Sequence, residues 1–501
     1  MSLLGIDVGT SGCKAAVFSE YGLLLGLAYQ EYDYQSPQPG WAELDSVDVW
    51  RKVKLTIRQA VAETKTDPIK AVCVSSLGET VVPVTAERKI LGPSLLNFDV
   101  RGNEYLAALR GRLHDEQLYQ INGNTLGNQY TLTKLKWLRQ HQPDIYRQTE
   151  YFLAWSGFVS FMLGAEASID YSLANRTLLF DLERCDWSDE LLELSQLERS
   201  KLPPTVPSGV VIGAVASEIA TELGLPAGIP IVSGGHDQCC NGIGSGVLAP
   251  GQAMVGMGTY LCMMPVFAQR PTTALLLRLG LNTEHHAVPG QYVSFLYTQG
   301  GSMVKWFRNT FAAAERQQTQ ASGQDLYAAL LSEMPADLSH IMVLPHFSVT
   351  GPPDFISDSC GAMAGLKLET SRGDILKGLI EAMTFYIRES FETLPRAGIE
   401  VTDFRVVGGG SKSDLWIQIS ADILGRPFVR PKVTEAGALG ATILAGVGCG
   451  VFPSLESGVE IMVQLDRTFE PDPKKQAAYD ERFSKYQRFG PLLANYLREL
   501  A

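Results

Sequence analysis

At 501 residues, with 45% of them hydrophobic and 48 glycines, the chain is long enough for two or more domains with full cores and reads as a compact α/β protein. Its formal charge of −12 argues against general binding to nucleic acid or to an acidic membrane. No apolar run of about 18 residues occurs to span a bilayer, no charged-then-apolar leader opens the chain, and the cysteines show no C-x-x-C or zinc-ligand spacing, so a cytoplasmic protein with reduced thiols is expected.

Leu3, Leu4 and Ile6 predict a buried strand, Gly9-Thr10-Ser11-Gly12 a tight turn, and Lys14 to Ser19 a second strand. A glycine-rich turn presents several backbone N–H groups to one point, which suits a phosphate. Thr10 and Ser11 add hydroxyl donors and Lys14 adds positive charge, while Asp7, at the strand end, can hold a hydrated Mg2+ facing the same point. The stretch contains no Walker loop, and taken alone it is equally well a plain hairpin turn.

A third strand is expected from Leu23 to Tyr29, then a loop ending in Pro39-Gly40-Trp41-Ala42-Glu43. Asp45 or Ser46 can cap a helix whose apolar face carries Val49, Trp50, Val53, Ile57 and Val61. The strand Ala71 to Ser75 runs into Ser76-Leu77-Gly78-Glu79-Thr80, and Ser94-Leu95-Leu96 is followed by Asp99 and Arg101. Ligands gather at the carboxyl ends of strands in open α/β sheets, so Glu79, Asp99 and Arg101 are candidates for binding substrate hydroxyls; ordinary surface charge is the alternative. Thr133 to Leu163 reads as mostly helical with Trp137 and Trp155 in the core, and residues 164 to 209 as irregular. Asn175-Arg176-Thr177 is an idle glycosylation match in a cytoplasmic chain. The strand Pro230-Ile231-Val232 ends in Ser233-Gly234-Gly235-His236-Asp237-Gln238, which places a carboxylate on a glycine-flanked turn. Asp237 there suits a general base, or else caps the helix that follows, and His236 either supports it or is simply packed.

The second half opens on a weaker copy of the first loop. Gly9-Thr10, Cys13 and Val17-Phe18 return at one constant offset as Gly258-Thr259, Cys262 and Val266-Phe267, which reads most simply as a duplication, with chance as the alternative. The copy lacks the Asp and the Lys but can still donate N–H and hydroxyl bonds to the other end of a polyphosphate. Gly373 to Leu394 predicts a long amphipathic helix. Phe404 to Val407 predicts a strand running into Gly408-Gly409-Gly410-Ser411-Lys412-Ser413, a wide turn opening a helix and fit for a flat base or ribose. Glu435 to Ala441 forms a helix so poor in side chains that something must pack closely on it.

Together these residues resemble the FGGY carbohydrate kinases of the hexokinase, Hsp70 and actin superfamily. The likeness covers nearly the whole chain and keeps motif order: Gly5-Ile6-Asp7-Val8-Gly9-Thr10-Ser11, Asp99-x-Arg101, Gly234-Gly235-His236-Asp237, Gly258-Thr259, Gly408-Gly409-Gly410-Ser411 and Gly437-Ala438-Leu439-Gly440-Ala441. It implies an α/β chain of two ribonuclease-H-like domains with a cleft between them, residues 1–244 binding the sugar and residues 245–501 binding ATP. Asp7 would then serve Mg2+, Thr10, Ser11, Lys14, Gly258 and Thr259 the phosphates, and Gly409, Gly410 and Ser413 the nucleoside. Asp237 would take the proton from the attacking sugar hydroxyl, with Glu79, Gly78, Asp99, Arg101 and Gln238 around the substrate. Glycerol kinases resemble Gln-Arg-Glu-Thr where this chain has Leu77-Gly78-Glu79-Thr80, xylulokinases carry Met-His at the positions of Gly78 and Glu79, and both tend to have Trp in place of Asn97. Gly78 and Asn97 imply a roomier pocket and a ketopentose such as xylulose. Glycerol or another polyol is the alternative, as is a non-catalytic nucleotide-binding regulator on the same fold. No nucleic-acid or membrane partner is expected, and a homo-oligomer is left open.

Overall fold

The computed structural model describes residues 1–64, 67–322, 325–348, 350–352, 356 and 359–500. The first half is built on β1 (Ser2–Val8), β2 (Gly12–Ser19), β3 (Leu24–Glu31), helix α1 (Ser46–Glu63), β4 (Ile69–Ser76), β5 (Val211–Ala214) and β6 (Pro230–His236). The strand order is β5-β6-β4-β1-β2-β3. β1, β4 and β6 run parallel, while β2, β3 and β5 pair antiparallel with their neighbours. Helix α1 starts where its sequence says it should: the Asp45 carboxylate accepts from the N–H groups of Val47 and Asp48. Its buried Val49, Trp50, Val53 and Ile57 join Leu4, Ile6 and Val8 of β1 in one core.

The second half follows helix α2 (Asp237–Ser245) and repeats this plan with β7 (Gly251–Met257), β8 (Tyr260–Phe267), β9 (Glu284–His285), β10 (Tyr292–Val293), β11 (Leu296–Gln299), helix α3 (Arg372–Phe391), β12 (Val401–Val407), helix α4 (Asp414–Leu424), β13 (Phe428–Pro431), helix α5 (Ala436–Gly448) and β14 (Leu465–Phe469). Its sheet reads β14-β13-β12-β7-β8, with β11 and the short β10–β9 pair both continuing from β8. β7, β12 and β13 run parallel, while β8, β11 and β14 pair antiparallel. Strand for strand this is the order and sense of the first sheet, with the hairpins β1–β2 and β7–β8 at matching places. The five residue matches between the loops thus mark a duplication, and the fold is that of two ribonuclease-H-like domains.

The segment from Thr133 to Leu163 is mostly helical, as expected, with one strand, Tyr151–Ala154, pairing antiparallel with Val81–Val84. Two expectations need correction. Residues 164 to 209 hold two short helices, Tyr171–Asn175 and Asp189–Ser195, each opened by a side-chain cap, Asp170 and Ser188. Most consequential, Ser233 to His236 is not a turn but the last part of β6, and Asp237 is the first residue of α2. A Cβ on Gly234 would lie 1.7 Å from the Val74 oxygen, and the β6–β4 register shifts at this point. The glycines let two backbones touch rather than bend the chain away.

The halves meet along α5. A Cβ on Gly5 of β1 would lie 2.0 Å from the Ala438 oxygen, one on Gly244 of α2 would lie 1.9 Å from the Ala436 oxygen, and one on Gly440 would lie 1.9 Å from the Cys240 oxygen. The small-residue helix is wedged between the first sheet and α2, which is the close packing its composition predicts. No helix among the described residues is long and apolar enough to cross a membrane.

Candidate active site

Asp7 is the last residue but one of β1 and lies beside the first residues of α5. The Ser75 hydroxyl donates to its Oδ1 at 2.9 Å, and Oδ2 lies 3.0 Å from where a Cβ on Gly437 would be, with Asn241 Oδ1 flanking the same spot. Burial pushes the Asp7 carboxyl above the usual carboxylate range, offset in part by Ser75 and Lys14. Among the described residues no cluster of three or more His, Cys, Asp or Glu could hold a metal alone. A single carboxylate kept uncovered by a glycine instead fits a cation that retains most of its water and takes further oxygens from phosphates, as Mg2+ does. Thr10 and Ser11 are exposed at the tip of the β1–β2 hairpin, and Thr259 is exposed at the tip of β7–β8. Lys14 is not a free charge: its Nζ pairs with Glu435 at 2.6 Å, tying β2 to the residue that precedes α5.

A second cluster surrounds Gly78. Glu79 is buried in a left-handed conformation, φ 58°, and its carboxylate accepts from Arg176, whose other terminal nitrogen donates to Glu284 at 2.6 Å. Asn282 donates to the same Glu284 oxygen at 2.7 Å. Arg176 therefore bridges the first half to the second, and its Nε has no partner among the described residues. Sequence reasoning set Arg176 aside as part of a glycosylation match and never singled out Glu284. The available signal was Asn282-Thr283-Glu284-His285-His286, a polar run lying between apolar stretches. The space at Gly78 is not left open: a Cβ there would lie 3.1 Å from His236 Nε2 and 3.4 Å from Arg176 Cγ.

Asp237 stands next to this cluster, at the junction of β6 and α2. Helix α2 has no side-chain cap, so Asp237 is not spent in that way. Its Oδ1 lies 3.3 Å from His236 Nε2 and 3.2 Å from Gln238 Nε2, and its side chain is 24% exposed. Gln238, expected at the substrate, thus directs its amide at Asp237. Burial, reinforced by the Asp7 charge, raises the Asp237 carboxyl to about 7. Burial and then the Arg176 cation push the His236 imidazole well below its ordinary value, so it is neutral.

Asp99 and Arg101 belong elsewhere. Arg101 grips both Asp99 oxygens, reaches Glu43 at 2.7 Å and lies over the Trp41 ring at 4.0 Å, while Lys134 donates to the carbonyls of both residues. With Ala42 N–H also donating to Asp99 at 2.6 Å, these groups are spent on one another, and the pair is structural rather than displayed to a ligand.

On the second half, Gly408, φ 89°, lets the turn pass against the β7–β8 hairpin: a Cβ there would lie 3.0 Å from the Met257 oxygen and 3.3 Å from the Gly258 nitrogen. A Cβ on Gly409 would meet nothing within 4 Å, whereas one on Gly410 would lie 2.9 Å from the Met257 side chain. Gly409 thus borders open space and Gly410 does not. Ser413 caps α4, its hydroxyl accepting from Trp416 N–H at 3.2 Å.

Residues 2–244 match the FGGY family of carbohydrate kinases, N-terminal domain, and residues 253–449 match the C-terminal domain of the same family. The chain is 27% identical over 490 residues to a protein named xylulose kinase of Staphylococcus epidermidis, covering 97% of this chain and 95% of that one. It is 30% identical over 508 residues to one named autoinducer-2 kinase of Salmonella choleraesuis, covering 97% and 93%. Among solved structures, the xylulose kinase from Rhodospirillum rubrum superposes with a TM-score of 0.86 at 25% identity, over 99% of this chain and 100% of that one. Plasmodium falciparum glycerol kinase with ADP shares the fold, with a TM-score of 0.84 at 21% identity over 97% of each chain. With both family domains matched in order along a duplicated α/β fold, the chain belongs to the FGGY family of carbohydrate kinases and is an ATP-dependent carbohydrate kinase.

Proposed function

We propose that the acceptor is a ketopentose such as xylulose, bound by residues 1–244 while residues 245–501 hold ATP, and that Asp237 is the general base. A partly accessible carboxylate raised to about 7 where the two halves meet, beside the Arg176 bridge, carries the base assignment, and the likeness to proteins named xylulose kinase supports the acceptor. A base near the working pH combines the right protonation state with a useful driving force. The acceptor oxygen attacks the γ-phosphorus, its proton passes to Asp237, and the bond to the bridging oxygen breaks with the electron pair leaving on ADP. Charge in such a transfer is spread over the phosphoryl oxygens, so positioning and N–H donors do most of the work. The exposed tips at Thr10, Ser11 and Thr259 supply donors, whereas the Gly258 N–H is spent on the Tyr260 carbonyl; the open face at Gly409 suits the nucleoside, and Mg2+ held by Asp7 would neutralise phosphate charge.

The likeness to proteins named autoinducer-2 kinase, at 30% identity, brings a second acceptor into consideration. Acceptor-dependent ADP release, measured over a panel of pentuloses, glycerol, other polyols and autoinducer-2, tests the reading. Xylulose should give the highest kcat/KM, and preference for any other acceptor overturns the ketopentose assignment. Asp237→Asn should lower turnover by about 10^2 to 10^4 with little change in ATP affinity. Near-normal turnover removes Asp237 from the mechanism.

A further inference from the structure

Nothing so far explains why a buried neutral histidine sits directly against the catalytic carboxylate, or why residue 78 has no side chain. Four observations converge on that ring. The His236 backbone N–H donates to Ser172 Oγ at 2.9 Å, and Ser172 is itself bonded to Asp170, the cap of the helix Tyr171–Asn175. β6 pairs His236 with Ser76, so its backbone is held from the strand side as well. The ring stands edge-on to Phe295, with centroids 5.4 Å apart and planes at 81°. On another side it abuts Gly78, where a Cβ would lie 3.1 Å from Nε2 and 3.3 Å from Cδ2.

A ring so confined has one useful tautomer. A neutral imidazole carries a single N–H. Placing it on Nδ1 would set the Nε2 lone pair against a carboxylate oxygen, so the proton belongs on Nε2, which lies 3.3 Å from Asp237 Oδ1. Nδ1 is then a bare acceptor, and it has no partner among the described residues. Gln238 Nε2 donates to the same oxygen at 3.2 Å. Both side-chain donors converge on Oδ1, which leaves Oδ2 without a side-chain donor among the described residues.

We infer that His236 is a positioning residue for the phosphoryl transfer: with Gln238 it clamps Oδ1 of Asp237 so that Oδ2 takes the acceptor proton, and Gly78 is small because the ring needs that space. The inference rests on Asp237 being the base. It replaces the sequence expectation that Gly78 enlarges the sugar pocket, since the room gained at residue 78 belongs to His236. An unclamped carboxylate turns about its own bond, and a misplacement of about 1 Å at a reacting group can cost on the order of 10^2 in rate.

The test compares steady-state kinetics of His236→Ala, His236→Gln and Gly78→Ala with the parent enzyme, using the best acceptor of the panel and checking each fold by circular dichroism. His236→Ala should lose about 10- to 100-fold in kcat with the acceptor KM little changed. His236→Gln restores an N–H donor and should recover part of that loss. Gly78→Ala pushes on the ring by a few tenths of an ångström and should lower kcat in the same manner. On a His236→Ala background it should cost nothing more, because the two changes act through one contact. The inference is overturned if folded His236→Ala keeps the parent kcat, if only KM rises, or if the two changes are additive. Should His236→Ala fail to fold, Gly78→Ala with an unchanged kcat overturns it alone. Loss of turnover in Asp237→Asn with none in His236→Ala defeats this inference and leaves the base assignment standing; normal turnover in Asp237→Asn defeats the base assignment itself.

Discussion

Gly440→Ala tests how the packing between the halves supports the chemistry. A Cβ at residue 440 would lie 1.9 Å from the Cys240 oxygen, and both partners are on helix backbones, so no rotamer change relieves the clash. Carbon–oxygen contacts between packed helices settle at about 3.3–3.6 Å, so α2 and α5 must part by roughly 1.5 Å. Parting loosens the reciprocal contact at Gly244 as well, and the cost lies at or above the upper end of the usual overpacking range of about 1–3 kcal/mol. Asp237 is the first residue of the displaced helix, and a shift of this size can cost on the order of 10^2 in kcat. The assays are a thermal melt and steady-state ADP release on the same preparation. Gly409→Ala is the control, because a Cβ there meets nothing within 4 Å and the melt should not move. Parent-like melting and turnover in Gly440→Ala would show that the two helices do not meet as described.

The other predictions concern titration, a cap and a buried pair. The proposed base must be a carboxylate to accept the proton, and Asp237 is raised to about 7, so kcat/KM should climb as pH rises through about 7 and fall about tenfold per unit below it; an acid limb in the ordinary range near about 4 would refute the assignment. Ser413→Ala should lose about 1 kcal/mol in a denaturant titration with the KM for ATP unchanged, since the hydroxyl caps α4. A raised KM with unchanged stability would make it a nucleotide contact instead. Arg101→Ala strands the buried Asp99 carboxylate and should destabilise by roughly 3–5 kcal/mol, whereas a loss below about 1 kcal/mol would mean that the pair is not buried as seen.

Much of this molecule is local in origin. The β1–β2 hairpin, the Asp45 cap of α1, the capping box that opens α3 at Ser371 and Asp374, and the small-residue helix α5 follow from turn chemistry, periodicity and composition within a few residues. The duplication was visible for the same reason: hairpins at equivalent positions keep equivalent glycines. What the chain could not declare by itself is which polar groups are spent on one another. Asp99 and Arg101 read as ligand groups, yet they are spent on each other, on Ala42 and on Glu43; Lys14 read as free charge, yet it pairs with Glu435 in the other half. Arg176 lies 108 residues from Glu284 and 97 from Glu79, and no local pattern announces a bridge over such separations. His236 and Gly78 likewise acquire meaning only when β6 lies beside β4. Hydrogen-bonding capacity is a property of the residue, but its availability is decided by whichever buried partner the tertiary fold brings within 3 Å or so, because an unpaired polar group in the interior is too costly to leave idle.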